Sequence, residues 1–271
     1  MGNYQLIALD MDGTLLDSRK LISARTLQAI ERAVSSGKHV AISTGRCLAE
    51  MRGYLDALSC VRYFVCASGA VVYDMATGVK LHEQLMAAVI AAQCMRIATL
   101  EGAMIQIMSD ESIVQRDQQE HMSEYGMGVY KPLYESVATQ VDDILAFFDS
   151  SPFAVAKLNL YHRTKQSRLC TRQHLAGVDV ELADSESTSL ECSAKGVSKA
   201  TGVRALCRVL GISMKDVIAV GDGDNDLALL EAAGLSVAMG NASDRLKAQC
   251  DITVADNDSG GCCEAIERFL L

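Results

Sequence analysis

No stretch of this 271-residue chain approaches the roughly 18 consecutive apolar residues that a membrane-spanning helix needs. It has no Lys/Arg-dense run, and a net charge of -9 argues against a nucleic-acid surface. No basic segment followed by an apolar stretch opens the chain, so no secretory signal peptide is expected. Leu6 stands where a myristoylation motif beginning at Gly2 requires Ser or Thr. The ten cysteines include no Cys-x-x-Cys pair. Most lie in apolar patterns, as at Cys66, Cys94 and Cys207, and read as reduced, buried thiols of a cytoplasmic protein rather than a disulfide framework. Internal repeats and low-complexity tracts are also missing.

What is present is a chain long enough for one large domain or two modest ones. Its hydrophobic content of 49% is ample for a core, and 22% charged residues is ordinary for a globular protein. The first 82 residues alternate strand and helix. The apolar run Leu6–Leu9 reads as a strand, and Ser23 can cap a helix carrying Leu27, Ile30 and Val34 on one face, with Gly37 as its stop. A strand over residues 39–43, a helix over 47–58 and a strand over 63–67 follow. Residues 71–73 and 79–81 flank a turn and form a hairpin. The alternation resumes near Ser198 with a helix to Leu210, strands over 217–220, 235–239 and 252–254, and a closing helix over 262–271 opened by the vicinal pair Cys262-Cys263.

The middle, residues 83–188, has a different texture. Both prolines, Pro132 and Pro152, lie there. Strands over 105–108, 112–115, 154–161 and 178–182 mix with helices over 86–100 and 141–150. The expected architecture is α/β: a Rossmann-like parallel-sheet core made of residues 1–82 and 189–271, with an inserted α+β domain over 83–188. The two connections, near residues 82 and 189, would tether the insert as a hinged lid.

Two stretches at opposite ends of the chain carry the chemistry. Asp10-Met11-Asp12-Gly13-Thr14 directly follows the first apolar strand, and Gly221-Asp222-Gly223-Asp224-Asn225-Asp226 directly follows the strand ending at Val220. Ligands of open parallel sheets bind at such strand ends. Carboxylates converging there repel one another unless a cation lies between them, and oxygen-only ligands suit Mg²⁺. Asp10 and Asp12 would share a face in extended backbone. One could attack phosphorus, and the other could protonate a leaving alcohol and then activate water. A lone Asp-x-Asp is usually turn chemistry, but the longer motif after an apolar strand is more specific.

Thr44-Gly45-Arg46 could hold a phosphate oxygen or simply cap a helix. Lys199 could offset the charge on nucleophile and phosphate or stand as a solvated surface group. In the second acidic loop Asp222 is the expected metal ligand. Asn225 is placed for phosphate, and Asp226 for orienting Lys199 or metal-bound water. A calcium loop is the other acidic reading, but Ala233 stands where its bidentate Glu would be required.

At these residues the chain resembles the haloacid dehalogenase superfamily, and in order and spacing its Cof-type (subfamily IIB) sugar-phosphate phosphatases. The resemblance rests on Asp10–Thr14, Thr44-Gly45-Arg46, Lys195-Gly196-Val197-Ser198-Lys199, Gly221–Asp226 and Val237-Ala238-Met239-Gly240-Asn241-Ala242. It implies Mg²⁺ held by Asp10, the Asp12 backbone carbonyl and Asp222, with Asp226 in support. Met11, Thr44, Gly45, Lys199 and Asn225 would grip the transferring phosphoryl group, and the insert would be a C2-type cap. The pattern departs at Ser68, where the family usually carries Asn, and at Cys47, in place of a common proline.

The expected activity is a Mg²⁺-dependent phosphatase for small phosphorylated metabolites, working through an aspartyl-phosphate on Asp10. Asp12, Thr44 and Lys199 complete the catalytic set. Two alternatives stay open: a phosphosugar mutase, which hands the phosphoryl group to a second hydroxyl, and a catalytically silent phosphometabolite-binding regulator.

Overall fold

The computed structural model of the chain describes residues 4–185 and 187–271. It forms two compact units. The first gathers Met1–Gly45, Tyr54–Glu83 and Ser198–Leu271, and the second gathers Arg46–Gly53 and Gln84–Val197. In chain order the strands begin with β1 (Leu6–Leu9), β2 (His39–Ser43), β3 (Tyr63–Cys66), β4 (Val71–Asp74) and β5 (Val79–Glu83). Then come β6 (Met104–Met108), β7 (Ser112–Gln115), β8 (Ala138–Val141), β9 (Lys157–Tyr161), β10 (Val180–Asp184) and β11 (Ser189–Ala194). The series closes with β12 (Val217–Gly221), β13 (Leu235–Ala238) and β14 (Ile252–Thr253).

The first unit is built on a sheet of order β14-β13-β12-β1-β2-β3-β4-β5. It is parallel from β14 to β3, and the β4–β5 hairpin extends it antiparallel. Every residue of β1 and β12 is buried, which is why both read as unbroken apolar runs rather than alternating ones. Helices clothe the sheet. Ser23 caps Ala24–Ser35 by accepting from the Thr26 amide, and the helix buries Thr26, Ala29, Ile30 and Ala33. Leu27 and Val34, expected on the buried stripe, are only half-buried at its margins. Ser198 caps Lys199–Leu210 with a reciprocal bond to Thr201. Burying a side chain such as Ile30 or Leu206 contributes about 1.5–3 kcal/mol.

The second unit is a six-stranded sheet of order β10-β11-β9-β6-β7-β8. The pleat sorts its residues. Ile105, Ile107, Leu158, Leu160, Leu190 and Cys192 join one apolar cluster with the helices Ala88–Leu100 and Ile144–Ser150. The alternate residues Gln106, Asn159 and Glu191 stand in register across β6, β9 and β11 on the other face. They are buried too, and this polar layer is closely bonded. Gln106 donates to Glu50 (2.5 Å) and Ser112 (2.7 Å), and its carbonyl oxygen accepts from Tyr134, Asn159 and Tyr161. Lys157 pairs with Glu191 at 3.0 Å.

Four expectations change. The return to the first unit falls at Ser198, not at residue 189, because Ser189–Ala194 pairs with β9 and β10. The segment Arg46–Gly53 belongs with the second unit. The helix expected over 47–58 is a short 3-10 turn, Ala49–Tyr54, whose Glu50 is committed to Gln106. The closing helix also changes form, running as α over Gly261–Ala265 and as π over Ile266–Leu270.

Candidate functional site

Parallel register brings the two acidic loops together. Leu9 stands opposite Val220 on one side and Ile42 on the other, so Asp10, Gly221-Asp222 and Ser43-Thr44 follow the same edge of the sheet. The Asp10 amide donates to the Val220 carbonyl (3.0 Å), extending the ladder by one bond. Gly13 then turns the chain at φ 81°, and a Cβ there would lie 2.3 Å from the Asp222 carboxylate. Glycine is what lets the loops approach.

Asp10, Asp222 and Asp226 each offer an oxygen within 4.8 Å of the others. Lys199 enters from the first residue of its helix, fully buried, with Nζ at 2.5 Å from Asp10 Oδ1 and 2.6 Å from Asp226 Oδ1. Asp226 Oδ2 accepts from the amides of Asp222 and Gly223, which sets the loop's shape. Asp222 is held by Thr14 Oγ1 at 3.0 Å and Asn241 Nδ2 at 3.2 Å, and Asn241 also donates to the Gly13 carbonyl.

With all three carboxylates ionised, the one ammonium would leave two negative charges uncompensated in this group. Burial, with Asp226 and Asp222 nearby, pushes Asp10 well above the usual carboxylate range despite Lys199. Burial and Asp226 push Asp222 up to about 6, with the Thr14 bond opposing. Burial also works against the charge on Lys199, but Asp10 and Asp226 outweigh it and hold the ammonium protonated. A hard divalent cation suits this all-oxygen donor set and would relieve its repulsion.

Asp12 departs from the expectation that it shares a face with Asp10. The strand ends at Leu9, so extended-backbone geometry no longer applies. Its carboxylate is outside the three-carboxylate group and accepts from Lys20 Nζ at 2.8 Å. Met11 is buried, and its carbonyl accepts from the amides of Thr14 and Leu16. Thr44 is 1% exposed; its amide donates to Val65 and its carbonyl accepts from Ser68, which fixes the start of the Thr44-Gly45 turn. Asn225 lies half-buried in the 3-10 turn Asp224–Asp226. Arg46 instead donates to the Glu50 carbonyl within the second unit.

Sequence reasoning gave Lys20 no role and attached none to Asn241. Lys20 lies in a polar turn without periodicity, and only its backbone geometry aims it at Asp12. Among the described residues the non-glycine positive-φ positions are Lys20, Ala67 and Ser68. Each left-handed residue costs about 1–2 kcal/mol. Ser68 binds Thr44, and the next residue, Gly69, presses on Ser198, where a Cβ would be 1.9 Å from the carbonyl oxygen. All three strained positions therefore adjoin segments of the site.

The haloacid dehalogenase-like hydrolase pattern matches residues 7–266. The chain belongs to that family. It is 29% identical to the 5-amino-6-(5-phospho-D-ribitylamino)uracil phosphatase YcsE of Bacillus subtilis (strain 168), over 99% of this chain and 97% of that protein. It is 28% identical to the pyridoxal phosphate phosphatase YbhA of Escherichia coli (strain K12), over 98% and 99% respectively. The Cof-type, subfamily IIB pattern agrees with the fold of the solved subclass IIB sugar phosphatase BT4131. That likeness has a TM-score of 0.82, covers 98% of this chain and 100% of that one, and at 21% identity speaks to the fold alone.

Proposed function

We propose that this protein is a Mg²⁺-dependent phosphatase for small phosphorylated metabolites, acting through an aspartyl-phosphate on Asp10. The observation that carries the reading is the buried Asp10 carboxylate at the end of β1, grouped with Asp222, Asp226 and Lys199 and, with all three carboxylates ionised, short of positive charge by two. A catalytically silent binder has no need of two carboxylates within the span Asp10–Asp12. Relatives named as phosphatases over the full length of the chain support hydrolysis over phosphoryl transfer to a second sugar.

Asp10 Oδ attacks phosphorus while Lys199 compensates charge on the nucleophile and on the phosphoryl oxygens. Thr44, Gly45, Asn225 and the turn at Met11 hold those oxygens. Asp12 gives a proton to the leaving oxygen and takes one from the attacking water in the second step. Asp10, the Asp12 carbonyl and Asp222 would hold Mg²⁺, whose chemistry is to neutralise charge on the transferring group. Thr14 and Asn241 orient Asp222, and Asp226 orients Lys199. The second unit takes the family's cap role of choosing among leaving groups. Ten free cysteines support a reducing, cytoplasmic setting, and no helix among the described residues is long and apolar enough to cross a membrane.

The test is phosphate release from sugar phosphates, pyridoxal 5′-phosphate, flavin mononucleotide and a ribitylaminouracil phosphate, with Mg²⁺ and with excess chelator. Release that needs Mg²⁺ is expected. Undiminished release in chelator would remove the metal from the reading, and product appearing only with an acceptor sugar would turn it into a mutase.

A further inference from the structure

We propose that Lys20 is a positioning residue for the first chemical step, acting through Asp12; this rests on the phosphatase reading above. Lys20 has φ 62°, a conformation that favours glycine. The turn that imposes it is fully built. Asp17 Oδ1 accepts from the amides of Arg19 and Leu21, each at 2.9 Å. The Lys20 amide donates to the Asp17 carbonyl, and the Asp17 amide to the Leu21 carbonyl, both at 2.9 Å. Tyr54 Oη donates to the Lys20 carbonyl at 3.2 Å. The outcome is an ammonium 2.8 Å from Asp12 Oδ1, in a pair that is only partly exposed. A glycine would form this turn more easily but could not reach Asp12. Strain kept beside a reacting group points from geometry to function.

The chemistry says what the pair does. A bond forms between Asp10 Oδ and phosphorus, the phosphorus–oxygen bond to the leaving group breaks, and its electron pair goes to the leaving oxygen. The proton on Asp12 moves to that oxygen, and Asp12 becomes a carboxylate. Lys20 holds the Asp12 side chain in one orientation, so that its carboxyl group meets the leaving oxygen without a conformational search. An ester whose leaving group is stable as an anion has little need of the proton, and so little need of Lys20.

The discriminating quantity is kcat/KM, which stops at the first irreversible step. It is measured on p-nitrophenyl phosphate and on the fastest alkyl phosphate among glucose 6-phosphate, glycerol 2-phosphate and pyridoxal 5′-phosphate. Lys20→Met should lower the alkyl value by roughly tenfold or more and the aryl value by less than about threefold. Lys20→Arg should restore most of the alkyl rate. Lys20→Gly should melt no lower than the wild type and still share the Lys20→Met defect, separating positioning from folding. An alkyl-to-aryl ratio in Lys20→Met within about twofold of an active wild type overturns the role of Lys20 alone, whether both rates fall together or neither does. A wild type that releases phosphate from none of the four esters overturns the phosphatase reading and the role of Lys20 with it.

Discussion

Each unit of this protein contains a buried polar cluster, and the two differ in how their charges sum. In the second unit Glu50 and Glu191 are matched by Arg46 and Lys157, and hydrogen bonds link Gln106, Ser112, Tyr134, Tyr161 and the amide nitrogen of Asn159. In the first unit Asp10, Asp222 and Asp226 have Lys199 among them and, with all three ionised, fall short by two positive charges. On the proposed function, the contrast separates a cluster that ties the fold together from one that would take a ligand. Burial and hydrogen bonding look alike in both, and the sum of charges tells them apart.

The comparison can be broken at several points. The largest effect is expected from Asp10→Asn, since a neutral amide cannot form the acyl phosphate. Phosphate release should vanish while circular dichroism and Tm keep the fold, and full activity in that variant would exclude the covalent route. Asp12→Asn should slow turnover by roughly 10²–10⁴-fold, and a loss below about threefold would remove Asp12 from acid–base work.

The balanced cluster should respond in stability. Lys157→Met strands Glu191 in a buried setting and should cost about 3–5 kcal/mol in a urea titration. A cost near zero would mean that the pair is not a structural tie.

The smallest effect is the most diagnostic. Asp222 is raised to about 6 when folded, above its ordinary 3.8. Between those values the folded state binds the proton and the unfolded state does not. Asp222 therefore removes stability as pH climbs through that window, and the penalty is complete at pH 7. Without metal, Asp222→Asn should be more stable than the wild type at pH 7 by on the order of 1–3 kcal/mol, and the advantage should shrink toward pH 4. Mg²⁺ should raise the Tm of the wild type and leave that of Asp222→Asn nearly unchanged. Equal pH profiles for the two metal-free proteins would show that Asp222 is not strained by its neighbours.

The sequence made the first unit's cluster legible because its parts are local signals. Asp10 and Asp222 directly follow apolar strands, and Lys199 directly follows a capping Ser198. What escaped depends on distant partners. Ser189–Ala194 alternates polar and apolar residues too briefly to declare its sheet, and only pairing with β9 and β10 assigns it. The helix expected after Arg46 yields to a 3-10 turn because Glu50 is tied to Gln106, a tertiary contact that propensity does not register. Lys20 escaped for another reason: a left-handed backbone aims its side chain, and no spacing rule anticipates that.

The central position of β1 has a consequence for synthesis. Its neighbours are β2, made soon after it, and β12, made after the whole inserted unit. A nascent chain halted before Ser198 carries Asp10 and Asp12 but neither Lys199 nor Asp222, and one edge of β1 is left without its strand. Such long-range pairing closes late and slowly, whereas β6–β11 can assemble from residues already translated. On the proposed mechanism, a chain laid out this way gains its activity only once the segment beyond Ser198 has been made.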